Sequence, residues 1–402
     1  MNFFSFNLGT MGREREEGIN KGSEEYSIVL FSFHYLLNYN IIMLSKILAK
    51  TSSLSSLSLS SSSSLSSSLS RISKLRSSST SLIILNNKKT YCSSARIVEV
   101  GLRDGLQNEK TTISIDTKTE LLKRLIIAGC NTVEAGSFVS PKWVPQMADT
   151  SKVCEYINEQ IQKDHNDFKK TRFSVLTPNL QGLDEALKYN VKEIAVFGAA
   201  SNSFSMKNIN CSISDSLDKF QKVCEKARNQ QILVRGYVSC VLGCPYEGNV
   251  SPEKVLYVTK RLFEMGCYEV SLGDTIGVGT PGSTRKLLDF LLKKENNLDV
   301  SKLAVHFHDT YGQALANILV ALEFGINVID SSISGLGGCP YASGASGNVA
   351  TEDVVYMLNG LGIHTGLDLD KLIDASNFID EALKRKSNSK VSTAKTKRKV
   401  LP

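Results

Sequence analysis

The sequence predicts a (β/α)8 TIM barrel, preceded by a disordered N-terminal extension and followed by a short helical, basic C-terminal tail. Three observations predict it. Eight short runs rich in β-branched residues alternate with longer runs whose apolar residues recur at three and four spacing. The alternation starts at residue 96 and fills about 280 residues, the length of such a barrel. Several of the helical runs open on Asp, Ser or Asn and close on Gly, the residues that favour helix ends. A doubly wound open sheet is the other fold that these runs allow.

Before the barrel lie two segments of different texture. Residues 1–42 end in the apolar stretch "YSIVLFSFHYLLNYNIIML", which His34, Asn38 and Asn40 interrupt, so no stable membrane anchor is expected. Residues 43–93 are rich in Ser and Leu, and Lys46, Lys50, Arg71, Lys74, Arg76, Lys88 and Lys89 stand there without an acid. An acid-poor basic segment of this kind reads as a mitochondrial transit peptide, which makes the matrix the expected destination. Such signals begin a chain, so Met43 is the expected start of translation and residues 1–42 an over-long extension.

The barrel is expected over residues 94–378 and the tail over 379–402. Its strands are read at "RIVEV" (Arg96), "TVEAG" (Thr132), "RFSVL" (Arg172), "EIAVF" (Glu193), "ILVRGYVS" (Ile232), "YEVSL" (Tyr268), "LAVHFH" (Leu303) and "VIDSSIS" (Val328). Helices are read between them, for example "DTKTELLKRLIIAG", "SPEKVLYVTKRLFEMG" and "YGQALANILVALEFG".

Charge and cysteine usage narrow the function classes. The net charge of +7 is carried by the two flanks, since the tail holds eight Lys and Arg from Lys384 to Lys399 and no acid. The body between them is acidic on balance, which argues against a nucleic-acid surface. Nine cysteines scattered through the chain, with no C-x-x-C pair, read as reduced thiols rather than a disulfide framework.

In a barrel the chemistry belongs at the C-terminal ends of the strands. Arg103 and Asp104 follow the first strand, Glu134 and Ser137 end the second, and Ser271 and Asp274 end the sixth. The seventh holds "HFH", and strand alternation turns His306 and His308 to one face. Two imidazoles with Asp104 form a ligand set for a divalent metal: tetrahedral zinc, or six-coordinate Mg²⁺ or Mn²⁺ with Asn348 as fourth protein ligand. The other reading of the pair is two hydrogen-bonded core histidines, and of Glu134 a structural partner of Arg103. After the eighth strand, "GLGGCPYASGASGN" fits neither a P-loop nor a dinucleotide fingerprint. It reads as a loop that carries the thiol of Cys339 to the barrel mouth and closes over substrate.

The motifs "GLRDGLQNE", "VEAGSFVSP", "SLGDTIGVGTP", "VHFHDTYGQALAN" and "SGLGGCPYASGASGNVATEDVVYML" together resemble the 3-hydroxy-3-methylglutaryl-CoA lyase family over residues 96–391. The shorter "RDG" and "HFHD" are shared with acetyl-CoA-dependent Claisen-type synthases, the alternative function, whereas the cysteine loop is not. The resemblance implies metal-dependent cleavage of a CoA thioester, 3-hydroxy-3-methylglutaryl-CoA, to acetyl-CoA and acetoacetate by a homodimer using Mg²⁺ or Mn²⁺. It further implies that Asp104, His306, His308 and Asn348 bind the metal and that Arg103 stabilises the enolate. Cys339 would sit at the reacting carbon, with Glu134, Asp274 and His306 catalytic beside it and Gln107, Ser137 and Ser271 against substrate. The chain departs from the family at its end, where "KTKRKVLP" lacks the cysteine of animal mitochondrial members.

Overall fold

The computed structural model describes residues 91–109, 111–338 and 347–399. The expected segment 1–42, nearly all of 43–93, and Cys339 lie outside the described residues.

Eight strands follow one another around a closed barrel: β1 (Arg96–Glu99), β2 (Thr132–Ser137), β3 (Arg172–Leu176), β4 (Glu193–Ala199), β5 (Leu233–Ser239), β6 (Glu269–Asp274), β7 (Leu303–Phe307) and β8 (Val328–Ser331). All neighbours are parallel, and β8 returns to β1 with Arg96 opposite Val328 and Glu99 opposite Ser331. Closure excludes the open doubly wound sheet. The last two strands end earlier than the sequence suggests. His308 lies just past β7 in a bridge with Asn348, and the chain after β8 turns tightly at Ile333–Gly335.

The helices are α1 (Ile115–Ile127), α2 (Thr150–Gln162), α3 (Asn166–Lys170), α4 (Leu180–Leu187), α5 (Asn202–Ile209), α6 (Ile213–Asn229), α7 (Pro252–Glu264), α8 (Pro281–Leu291), α9 (Ala314–Glu323), α10 (Thr351–Gly360), α11 (Leu369–Leu383) and α12 (Lys390–Lys399). Capping is local chemistry. The Ser114 side chain accepts the Thr117 amide and starts α1 two residues before the Asp116 of the sequence reading. Thr280 and Ser283 form a reciprocal capping box on α8, with Pro281 in its first turn. After α7 the chain turns back at Gly266 with φ +95°, a conformation that favours glycine.

Strand alternation sorts the side chains. Ile194, Val196, Val234, Val238, Val270 and Leu272 join the main apolar cluster, which also takes the buried faces of the helices. The opposite faces hold a smaller apolar cluster of Leu176, Ala195 and Tyr237 together with charge. Arg235 on β5 bonds Asp330 on β8, a contact only possible across the barrel interior. Arg235 also bonds Glu269 on β6, which pairs in turn with Arg96 on β1. A thread of ion pairs therefore crosses the interior from the strand starts toward the mouth.

The turn after β8 is held by buried acids. Ser334 adopts φ +57°, which a non-glycine residue keeps only when its surroundings hold it there. Glu352 on α10 accepts its amide at 3.0 Å, and Asp380 on α11 accepts its hydroxyl at 2.7 Å. Glu99, at the end of β1, accepts the amides of Gly101 at 2.8 Å and Ile333 at 2.9 Å and the hydroxyl of Thr351 at 2.6 Å. Among the described residues no helix is long and apolar enough to cross a membrane.

Candidate metal centre and active site

The chain leaves β1 in one wide turn of π-type helix, Gly101–Gly105, closed by the Gly105 amide on the Val100 carbonyl at 3.1 Å. This turn swings Arg103 and Asp104 over the barrel mouth. A side chain at Gly101 would meet Glu99 Oε1 at 2.6 Å, so the turn requires glycine there. Gln107 follows, half-buried, on the next turn.

The end of β7 meets this turn. Asp104, His306 and His308 bring ligand atoms within 4.8 Å of one another. Asp104 Oδ2 lies 3.6 Å from His306 Nε2, and the amide nitrogen of Asn348 donates to the same Oδ2 at 2.8 Å. Asn348 also donates to the Leu336 carbonyl at 3.1 Å, so the far side of the cysteine loop is tied to Asp104. Gly337, with φ +104°, allows this approach, because a Cβ there would stand 2.8 Å from the Asn348 amide nitrogen.

The electrostatics suit a cation. Burial works against the ionised Asp104, yet the Arg103 guanidinium and the two imidazoles hold its carboxyl well below the usual range. Burial also disfavours the charged His306, but bonds to Asp104 and Asp330 more than offset it and raise the ring to about 9. Burial and the charge of His306 lower His308 to about 4, so that ring is neutral. Its Nδ1 is buried without a hydrogen-bond partner. One carboxylate and two imidazoles with ligand atoms in a shared space, one of the rings holding a nitrogen without a partner, fit a divalent metal.

Arg103 is fixed beside this space. Its Nε donates to Glu134 Oε2 at 2.8 Å and its Nη1 to Asp104 at 2.5 Å, so one guanidinium bridges both acids. Tyr237 donates to the same Glu134 oxygen at 3.1 Å. The structural pairing of Glu134 with Arg103, one of the two readings of that residue, is therefore present, while Glu134 Oε1 is buried without a partner.

The other expected residues sit lower or to the side. Ser137 is buried and donates to the Leu176 carbonyl at 3.4 Å, and Ser271 donates to Asp330 at 2.8 Å. Asp274 accepts the Gly279 amide at 2.7 Å and shapes the loop after β6; burial raises its carboxyl to about 6, and its Oδ1 has no hydrogen-bond partner. Sequence reading missed Tyr237, Arg235 and Asp330. The available signal was a charged or polar residue at an inward position of an otherwise apolar strand.

The HMGL-like family model matches residues 94–379, most of the chain. The chain belongs to the HMGL-like family. Among curated relatives of this HMGL-like chain, it is 58% identical over 299 residues to "Hydroxymethylglutaryl-CoA lyase, mitochondrial" of Gallus gallus, which covers 74% of this chain and 97% of that protein. It is also 58% identical to "3-hydroxy-3-methylglutaryl-CoA lyase, cytoplasmic" of Mus musculus, over 74% of this chain and 84% of that protein. The crystal structure of hydroxymethylglutaryl-CoA lyase from Pseudomonas aeruginosa superposes with a TM-score of 0.72 at 52% identity, covering 77% of this chain and 99% of that one. This HMGL-like chain is accordingly a carbon–carbon lyase by family.

Proposed function

We propose that the protein cleaves 3-hydroxy-3-methylglutaryl-CoA to acetyl-CoA and acetoacetate with Mg²⁺ or Mn²⁺. The observation that carries this reading is the convergence of Asp104, His306 and His308 beside the Arg103–Glu134 pair at the C-terminal mouth of the barrel. Asp104, His306, His308 and the carbonyl oxygen of Asn348 would hold the cation. When bound, it supplies Lewis-acid polarisation of substrate oxygens.

The chain's own groups then move charge and protons. The reaction removes the proton of the tertiary 3-hydroxyl, breaks C2–C3, leaves C3 as the ketone of acetoacetate and puts the electron pair on the thioester enolate of acetyl-CoA. Arg103, locked by two carboxylates, meets the developing enolate oxygen without having to reorganise. His306 is suited to take the proton on Nε2, the nitrogen that would hold the cation before and after the transfer. Cys339, outside the described residues, is proposed as the acid that protonates C2, and Asn348 ties its loop to the site. Glu134 holds Arg103, Asp274 shapes the loop after β6, and Gln107, Ser137 and Ser271 line the approach of the thioester.

Relatives named mitochondrial and cytoplasmic both occur. The acid-poor segment 43–93 supports the matrix for this chain, and the homodimer is carried by the family resemblance. The deciding experiment is acetoacetate release by the purified chain from about residue 90, with and without divalent metal. Metal-dependent release is expected; no release with Mg²⁺ or Mn²⁺ present overturns the assignment. N-terminal sequencing of the mature protein tests the targeting, and a form that retains residues before Met43 sinks it.

A further inference from the structure

β8 carries an acid, Asp330, between Ile329 and Ser331, and the reaction above gives that acid no task. Asp330 is 2% exposed and faces the barrel interior. Its Oδ1 accepts Arg235 Nη2 at 2.7 Å, and its Oδ2 accepts Arg235 Nη1 at 3.1 Å and Ser271 Oγ at 2.8 Å. The same Oδ2 lies 3.3 Å from His306 Nδ1. A guanidinium gripping both oxygens keeps a carboxylate ionised, and an ionised carboxylate can only accept hydrogen bonds. The nitrogen that faces it must therefore carry the proton. That leaves Nε2, on the Asp104 side at 3.6 Å, as the nitrogen turned toward the cation site.

We propose that Asp330 is a positioning residue of the metal centre: it holds His306 through Nδ1–H so that Nε2 presents its lone pair toward Asp104 and His308. Arg235 and Ser271 are the supports of Asp330. Arg235 is held from its other side by Glu269 at 2.7 Å, so the register of β5, β6 and β8 sets where the His306 ring stands. Ser271 thereby gains a task other than substrate contact. The assignment rests on the metal-dependent reading of the site but not on the reaction performed there.

The first test needs no variant in the measured sample. The chain has five histidines, so ¹⁵N-histidine labelling gives five imidazole spin systems, and a His306→Gln sample identifies the one that disappears. With Mg²⁺ bound, His306 is expected to show a protonated Nδ1 and a bare Nε2; a bare Nδ1 overturns the proposal. The second test is Mn²⁺ affinity, read by electron paramagnetic resonance. Asp330→Asn is expected to weaken it by about 10- to 100-fold, the usual cost of removing a carboxylate behind a ligating histidine. A folded Asp330→Asn protein that binds Mn²⁺ within about twofold of wild type overturns the proposal, and if the variant does not fold, the wild-type spectrum decides alone. Neither readout involves turnover. A protein that meets both yet releases no acetoacetate refutes the proposed reaction and leaves Asp330 in its role.

Discussion

Two groups of acids, buried or nearly so, flank the end of β8, and they behave differently. At the mouth, Asp104 and Asp330 face guanidinium and imidazole groups, and one ring nitrogen is left without a partner. Behind the turn, Glu99 and Glu352 face backbone amides and hydroxyls, and all their oxygens are engaged. The first pair is held ionised; burial raises each of the second to about 7. A buried carboxylate is thus no sign of chemistry by itself. Cationic neighbours and an unsatisfied lone pair in a common space mark the site, whereas neutral donors that saturate every oxygen mark a clamp.

The largest effect is expected from His308→Ala, which removes the unpartnered nitrogen. Turnover should fall on the order of a thousandfold or more with loss of bound Mn²⁺; elemental analysis that still finds metal at full stoichiometry would place the centre elsewhere. Next, Arg103→Lys keeps the charge but loses the fork that bridges Glu134 and Asp104. A drop of roughly 100-fold in kcat with metal content intact is expected, and unchanged kcat would remove Arg103 from the chemistry.

Glu352→Ala addresses the clamp. It strands the Ser334 amide and the Ser392 hydroxyl, and should destabilise the fold by about 2–3 kcal/mol. Denaturant unfolding measures that loss, and the folded fraction should still bind one Mn²⁺ per chain. The same clamp carries a pH dependence. Glu99 and Glu352 have folded-state pKa values raised from 4.5 to about 7, so their protonated forms favour folding. Their contribution is full below pH 4.5, declines as pH rises toward 7 and is gone above it. At most about 3 kcal/mol each should be lost across that window. Unfolding of wild type against Glu352→Gln at pH 5 and 8 isolates one of them; equal losses in the two proteins would show that Glu352 titrates normally.

The barrel was legible because its signals are local. Apolar alternation over five or six residues marks a strand, and a cap or a glycine marks where each helix starts or stops, so six strands begin at the residue the sequence indicates. The two-histidine face followed from the same period of two. What stayed hidden depends on closure. Arg235 and Asp330 stand 95 residues apart and meet only because β8 comes round to the interior face that β5 also lines. The clamp at Ser334 draws on β1, α10 and α11 at once, and no spacing in the chain announces such a meeting.

Arg385 is the point where the clamp and the mouth join. Its guanidinium bonds Glu109 at 2.7 Å, just after the Arg103–Asp104 turn, and the Ser334 carbonyl at 3.1 Å, at the root of the cysteine loop. Glu109 leaves the ribosome 276 residues ahead of its partner. All eight strands precede this second fastening of the first loop to the last in the chain. A chain cut after β8 lacks both Asn348, which joins Asp104 to the Leu336 carbonyl, and Arg385, which joins Glu109 to the Ser334 carbonyl, so the mouth is fastened by groups that lie beyond the strands forming it.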